Sequence, residues 1–239
     1  MIYFLIPVFN ELDNIEKLCN NLRNVLPGAE KYFVFSDDGS SDGSPQKIQQ
    51  VLNKEAYIIL GDGNNHGPGY AFNMGFEWIL QHSADVDKDL IVTLEADNTS
   101  DLTILPVMVK NAEMGFDLVL ASVYAQGGGF DKTSFLRRLL SFIANIILRF
   151  AFDLKVLTLS SFYRVYKVSI LKKIKQVNPV IVQEKGFICM IEVLLKAVKN
   201  NARIIEVPMM LKSLQRKGKS KMKVFKTMMS YLKFLLKRK

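Results

Sequence analysis

Two carboxylates stand one residue apart at the end of a hydrophobic segment. The segment Leu90–Asp101 reads LIVTLEADNTSD and runs from apolar residues into Glu95 and Asp97. Strand alternation would place these two side chains on the same side, with Ala96 pointing away. At the carboxyl end of a buried parallel strand, such a pair can hold Mg²⁺ or Mn²⁺ against a diphosphate, which is transferase chemistry. The same residues also fit an acidic loop that ends a strand and caps the next helix.

The elements around this segment predict a parallel sheet. Apolar runs rich in β-branched and aromatic residues predict strands at Ile2–Val8, Tyr32–Phe35 and Ala56–Leu60. Apolar residues at helical spacing follow the first strand, and a helix is predicted near Pro45–Leu52 after the second. Strands that alternate with helices form right-handed crossovers, so the expected fold class is α/β, with a mostly parallel central sheet flanked by helices. The carboxyl ends of the strands then converge on one edge of the sheet.

Several motifs follow one another in a characteristic order. The N-terminal half carries PVFNE at 7–11, DDGSSDG at 37–43, NHGPGYAFNMG at 65–75 and EAD at 95–97. In this order and spacing they resemble the signature of family-two inverting glycosyltransferases, which have the GT-A, Rossmann-like nucleotide-sugar-binding fold. In the second half, LSSFYRVY at 159–166, Gly186-Phe187 with Glu192, EVP at 206–208 and RKGKSK at 216–221 resemble the dolichol-phosphate mannosyltransferase branch. The resemblance implies transfer of a hexose from GDP-mannose or a UDP-hexose to a polyprenyl (dolichyl or undecaprenyl) phosphate at a membrane face.

The resemblance also assigns the donor side of the site. Either Asp37 or Asp38 can accept hydrogen bonds from the N–H edge of a base, and the resemblance selects Asp37. It implies that Asp97 ligates the divalent cation, which stabilises the diphosphate leaving group. Glu95 stands where relatives usually have an aspartate, and its longer side chain can reach the metal or turn toward the ribose. The residues implied in nucleotide-sugar binding are Pro7, Phe9, Asn10, Glu11, Asp37, Asp38, Gly67, Gly69, Asn73, Glu95, Ala96, Asp97, Glu192 and Lys221.

The acceptor side depends on positive charge. A phosphate nucleophile is already ionised at neutral pH, so it needs positioning behind the anomeric carbon rather than a strong base. The resemblance places Arg137 and Ser141, one helical turn apart, on this phosphate, with Arg138 as the neighbouring candidate. Arg216 and Lys221 in the basic segment would contact phosphates as well. The expected catalytic residues are Asp97, Arg137, Ser141 and Arg216.

Two departures from the family pattern keep other functions open. Relatives usually have an arginine where this chain carries Val123, and Glu95 replaces an aspartate. A family-two transferase that acts on a saccharide hydroxyl would need a carboxylate base, for which Glu184 and Glu192 are the candidates. A non-catalytic nucleotide-sugar-binding subunit is the alternative outside enzymes. Nucleic-acid binding is discounted, because the basic residues accompany diphosphate motifs instead of an aromatic stacking platform.

Length and composition fit one catalytic domain. The chain has 239 residues, 49% of them hydrophobic, and we expect a catalytic domain over 1–220 followed by a tail over 221–239. No signal peptide is expected, and the most hydrophobic stretch, Leu139–Phe152, is too short and too interrupted to span a bilayer. Cys19 and Cys189 fit reduced core cysteines in a cytosolic setting.

The charge distribution predicts a membrane surface as a partner. The net charge of +9 and pI near 9.4 indicate an anionic partner. The tail KMKVFKTMMSYLKFLLKRK has apolar residues on one helical face and lysines largely elsewhere, which is typical of a helix that lies on a membrane. The alternative is a helix whose apolar face docks on the protein itself. We therefore expect a cytoplasmic enzyme held peripherally at the membrane, a location compatible with a membrane-protein partner.

Overall fold

A seven-stranded sheet forms the centre of the computed structural model, which describes residues 1–218 and 224–237; a second sheet has two strands. The strands are β1 Ile2–Val8, β2 Lys31–Asp37, β3 Tyr57–Leu60, β4 Leu90–Thr93, β5 Leu118–Ser122, β6 Gly129–Phe130, β7 Arg164–Lys167, β8 Ile204–Pro208 and β9 Met210–Leu211. The α-helices are α1 Leu12–Asn24, α2 Ser44–Val51, α3 Pro68–His82, α4 Leu105–Glu113, α5 Phe135–Phe152, α6 Val168–Val177, α7 Cys189–Lys199 and α8 Val224–Lys237. Short 3₁₀ helices span Leu102–Ile104 and Ser213–Gln215.

The central sheet is mostly parallel, as predicted. Its strand order is β3-β2-β1-β4-β7-β5-β8. Only β7 among these strands runs against its neighbours, β4 and β5, while every other adjacent pair is parallel. The carboxyl ends of β1, β2, β4 and β5 therefore meet at one edge of the sheet.

The two faces of the sheet are buried under separate layers of helices. Along β1, Tyr3 and Leu5 belong to the core beneath α3, α6 and α7, whereas Phe4 and Ile6 belong to the core beneath α1, α2 and α4. This alternation follows from the two-residue period of a strand. Helices on both faces make the sheet a rigid base for the loops at its carboxyl edge.

The C-terminal helix α8 packs in part against α5. The Phe234 ring is 2% exposed and lies 5.7 Å from the Phe152 ring, centroid to centroid. Part of the tail therefore docks on the protein, while Met229 and Leu236 remain exposed. The predicted domain boundary at 220 lies outside the described residues. Over the parts of the chain that the structure covers, no helix is both long enough and apolar enough to cross a membrane.

Candidate active site

A cavity of about 900 Å³ lies at the carboxyl edge of the sheet. Its walls include the residues that follow β1, β2, β4 and β5, one face of α5, segments 158–162 and 185–187, and Thr227, Ser230 and Tyr231 of α8. The predicted site residues that border it are Pro7, Phe9, Glu11, Asp38, Gly67, Glu95, Ala96, Asp97, Ser141 and Arg216. Residues from both halves of the chain therefore share one cavity.

The two acids at the end of β2 have different hydrogen bonds. Asp38 Oδ1 accepts from the backbone N–H groups of His66 at 2.7 Å and Gly67 at 3.0 Å, which joins β2 to the glycine-rich segment. Burial raises the pKa of Asp38, and these bonds oppose that shift. Asp37 Oδ2 accepts from the Ser40 N–H at 3.1 Å, whereas Asp37 Oδ1 is buried with no hydrogen-bond donor among the described residues. Asp37 does not border the cavity, and its Oδ1 is an acceptor that no described residue uses.

Glu95, Ala96 and Asp97 lie in a turn and not on a strand. Because β4 ends at Thr93, the prediction that strand alternation orders these side chains is wrong, and all three residues border the cavity. Asp97 Oδ1 accepts from the Thr99 N–H at 3.1 Å and the Thr99 hydroxyl at 2.6 Å. These local bonds close the turn and compete with continuation of the strand.

The carboxylates of Glu95 and Asp97 carry further contacts inside the cavity. Asp97 Oδ2 accepts from Arg216 Nε at 2.6 Å, and Arg216 Nη2 contacts the same oxygen. Glu95 Oε2 accepts from the Ser100 hydroxyl at 2.6 Å. Removal from water, and next the charge of Asp97, raise the pKa of the Glu95 carboxyl. A divalent cation beside both carboxylates would relieve this repulsion.

The carboxylates of the cavity fit a cation whose coordination shell is completed by a substrate. Within the described residues, no group of three or more His, Cys, Asp or Glu side chains could hold a metal ion. Mg²⁺ is commonly bound through one or two carboxylates, with substrate phosphates and water completing its shell. Glu95 and Asp97 meet that requirement.

One face of α5 forms a further wall of the cavity. Ser141 lies on this wall, and its Oγ accepts from the Tyr124 hydroxyl at 2.9 Å. Lys132, between β6 and α5, brings a positive charge to the cavity, and Val123 borders the cavity at the position where the resemblance expects an arginine. Among the described residues, the carboxylates that border the cavity are Glu11, Asp38, Glu95 and Asp97, which follow β1, β2 and β4.

Two predicted phosphate ligands lie outside the described part of the structure. The backbone of Arg137 belongs to α5, but its side chain is not among those described, and Lys221 lies between the two described ranges. The neighbouring candidate, Arg138, is exposed, with its guanidinium carbon 5.5 Å from the centroid of the Phe130 ring.

Three other predicted site residues support a loop instead of bordering the cavity. Glu192 is fully buried, accepts the N–H groups of two residues of segment 182–184 and pairs with Lys196 Nζ at 2.8 Å. Asn73 Oδ1 accepts the N–H of the first residue of that segment at 2.9 Å. A Cβ at Gly69 would lie 1.8 Å from the carbonyl oxygen of residue 184, the last residue of that segment, so only glycine fits there. The segment is thereby held against α3 and α7.

Asn10 also lies behind the cavity wall. Its backbone N–H donates to Ser40 Oγ at 2.9 Å, and its side-chain Oδ1 accepts from the Ser41 N–H at 2.8 Å. Asn10 therefore fixes the loop after β1 to the loop after β2.

Sequence reasoning missed the outer face of α5. One side of this helix borders the cavity, and the other exposes six large apolar side chains: Phe135, Leu139, Phe142, Ile143, Ile147 and Phe150. Their spacing was a readable signal, because these positions recur on one face of a helix. Testing the stretch only as a membrane span concealed that pattern.

Comparison with known proteins identifies the family. The sequence model described as glycosyl transferase family 2 matches residues 3–175, well over half of the chain. The chain belongs to this family. As a family 2 glycosyltransferase it is 27% identical, over 235 residues, to dolichol-phosphate mannosyltransferase from Pyrococcus furiosus, with 97% of this chain and 61% of the relative aligned. This chain therefore spans about three-fifths of that relative's length.

Another relative of this glycosyltransferase is polyprenol monophosphomannose synthase from Mycolicibacterium smegmatis. It is 26% identical over 206 residues, which cover 85% of this chain and 74% of the relative. Among solved structures, glucosyl-3-phosphoglycerate synthase from Mycobacterium tuberculosis, in complex with Mn²⁺, UDP-glucose and glycerol 3-phosphate, matches with a TM-score of 0.67 and 14% identity. That match covers 99% of this chain and 77% of the other, and it confirms the GT-A fold.

Proposed function

We propose that this glycosyltransferase transfers a hexose, with inversion, from a nucleotide sugar to a polyprenyl phosphate in a reaction that depends on a divalent cation. The observation that carries the proposal is that one cavity joins the carboxylates following β1, β2 and β4 to a face of α5 that carries Ser141, with Lys132 shortly before this helix; we call this face, together with Lys132, the acceptor wall. A saccharide hydroxyl would need a carboxylate base, and the described residues of the acceptor wall include none. An ionised phosphate needs only cations and hydroxyls to hold it in line.

The relatives and the positions of Glu184 and Glu192 support the same acceptor. Two relatives are named for transfer to dolichol phosphate and for polyprenol monophosphomannose synthesis. Of the candidate bases for a hydroxyl acceptor, Glu184 does not border the cavity, and Glu192 is bonded to backbone N–H groups and Lys196. We therefore favour the phosphate acceptor.

Different residues of the cavity have different roles in the proposed reaction. Glu95 and Asp97 would hold Mg²⁺ or Mn²⁺, which supplies stabilisation of the leaving diphosphate when bound. Asp37, whose buried Oδ1 has no hydrogen-bond donor among the described residues, is assigned to the base on the resemblance, and Arg216 lies beside Asp97 where it can meet donor phosphates. Ser141 and Lys132 position the acceptor phosphate. Arg137 and Lys221 are proposed as further phosphate contacts, and only the resemblance supports this assignment.

We also propose that the outer face of α5 lies on the cytoplasmic side of a membrane. Its exposed apolar stripe runs along the helix that forms the acceptor wall, so a lipid phosphate at the membrane surface would be close to the cavity. The net charge of +9 favours an anionic leaflet. This contact adds to the one predicted for the C-terminal tail.

A donor and acceptor panel tests the proposed reaction. The protein is incubated with Mn²⁺ and radiolabelled GDP- or UDP-hexoses, each with undecaprenyl or dolichyl phosphate, and the organic phase is counted. Label in that phase for at least one donor is expected. Hydrolysis of every bound donor with no lipid product would contradict the acceptor assignment.

A further inference from the structure

Arg216 lies on a segment that is tied down on two sides. On one side, Asp131 Oδ1 accepts the Ser213 N–H at 2.8 Å, and the Lys212 N–H donates to the Thr99 carbonyl at 2.9 Å. On the other side, the segment meets helix α1, which is separated from it by about two hundred residues along the chain and contacts it through Asn14 and through Lys17 Nζ, which donates to Gln215 Oε1. The position of Arg216 in the cavity is therefore set by contacts that are remote in sequence.

Asn14 makes a two-point contact with the backbone next to Arg216. Its Oδ1 accepts the Lys217 N–H at 2.9 Å, and its Nδ2 donates to the Lys217 carbonyl at 3.1 Å. The same Nδ2 donates to Glu11 Oε2 at 2.6 Å. Asn14 is only 2% exposed, so water does not readily replace these bonds. An amide side chain that bonds to both the backbone N–H and the backbone C=O of one residue fixes that residue in the way that an adjacent β-strand does.

The main chain of Asn14 holds the other partner of the Arg216 ion pair. Its carbonyl accepts from Asn98 Nδ2 at 3.0 Å, and Asn98 is the residue after Asp97 in the turn. One residue of α1 thus contacts the neighbour of Asp97 through its backbone and the neighbour of Arg216 through its side chain.

We propose that Asn14 is a positioning residue that sets Arg216 against Asp97 and, through it, the phosphates of the donor. This deepens the proposed function, on which its kinetic consequence rests. Loss of the Asn14 side chain would free the backbone of Lys217 but leave the Asn98 bond to the Asn14 carbonyl intact. Arg216 would then be displaced while the turn at Asp97 stays in place.

Two variants and one matched control test the proposal. Asn14→Ala removes both side-chain bonds to Lys217. Asn14→Asp keeps the volume and one acceptor but turns a second acceptor toward the Lys217 carbonyl and Glu11, so it separates hydrogen bonding from packing. Asn21→Ala is the control, because Asn21 lies on the exposed face of the same helix.

The first readout is limited trypsin digestion of the full chain, with cleavage after Arg216 and Lys217 followed by mass spectrometry. Both Asn14 variants should be cleaved there about tenfold faster than the wild type and Asn21→Ala, because cleavage follows the population of the freed backbone. This readout needs no acceptor, so it tests the contact even if the acceptor assignment fails. Cleavage at the control rate in both variants would overturn the proposal.

The second readout is steady-state kinetics with donor and lipid phosphate. Both Asn14 variants should lose about tenfold or more in kcat, with a donor KM within about threefold of the wild type. The reason is that the phosphate contact of Arg216, lost when this residue is displaced, stabilises mainly the transition state. Unchanged kcat would contradict the proposal. So would a parallel loss of kcat, donor binding and melting temperature in both variants, since that pattern marks a purely structural residue.

Discussion

Asp97 connects the donor side of the cavity to the basic segment. One carboxylate oxygen is held by Thr99, and the other meets Arg216. A cation at this carboxylate and the guanidinium of Arg216 would act on the same diphosphate from neighbouring positions. Single substitutions here are therefore expected to alter the chemistry more than the fold.

Asp97→Asn should lower kcat by about 100-fold or more without unfolding the protein. The amide keeps an oxygen for the Thr99 bonds but loses the charge that binds a cation and Arg216. Initial rates and melting temperature, with Asp87→Asn on an exposed loop as the control, measure this. Near-wild-type activity that still requires metal would exclude Asp97 as the principal ligand.

Both cysteines should resist thiol reagents in the native protein. Burial raises the pKa of Cys19 to about 12 and raises the pKa of Cys189 as well. At pH 8 the reactive thiolate is therefore a small fraction of either residue. Ellman's reagent should report no free thiol until denaturant is added, and stoichiometric reaction in the native state would contradict the described burial.

At the scale of elements, α7 illustrates how a polar residue in a motif can be structural. Glu192 matches the family motif, yet its carboxylate binds the backbone of segment 182–184 and Lys196. The pair is buried, so each charge depends on the other. Its role is to hold the loop that joins α6 to α7.

Glu192→Gln should therefore destabilise the protein by about 3 kcal/mol, because it leaves the Lys196 ammonium buried without its counterion. Urea unfolding measures the loss, and Glu192→Gln combined with Lys196→Met should recover part of it. A fall in kcat with no loss of stability would instead identify Glu192 as a general base and favour the hydroxyl acceptor.

Helix α5 carries the membrane contact that we propose. Ile147→Glu and Phe150→Glu should weaken binding to anionic vesicles while donor-nucleotide binding stays unchanged, because both side chains point away from the cavity. Vesicle sedimentation measures this, and Val177→Glu, at an exposed position at the end of α6, is the matched control. Equal binding of all three variants to the vesicles would show that α5 does not contact the membrane.

The sequence predicts local elements well and distant contacts poorly. The parallel sheet, the acidic strand ends and the bordering residues Asp38 and Asp97 follow from periodicity and motif order. The insertion of β7 between β4 and β5 does not, because strand order depends on packing across the whole chain. The Asp97–Arg216 pair joins residues 119 apart, and nothing in either local sequence indicates it. The strand was predicted to extend too far because its end at Thr93 depends on pairing with β1 and β7, which are remote in sequence.

At the scale of the whole molecule, the cavity lies between a rigid sheet and the amphipathic helix α5. The sheet edge supplies carboxylates for the donor, and α5 supplies the acceptor wall and an exposed apolar face. The positive net charge of +9 matches both an anionic membrane and phosphorylated substrates. A phosphate at the end of a membrane lipid, the acceptor that we propose, would use all of these features together.

The most direct measurement compares two acceptors that differ only in the phosphate. Purified protein, Mn²⁺ and the labelled nucleotide sugar selected by the panel are incubated with undecaprenyl phosphate or with undecaprenol, and labelled lipid is extracted. We predict rapid labelling of the phosphate, none of the alcohol above the Asp97→Asn background, and a lower rate in Arg216→Ala. Equal labelling of the alcohol, or labelling of a saccharide alone, would contradict the phosphate acceptor.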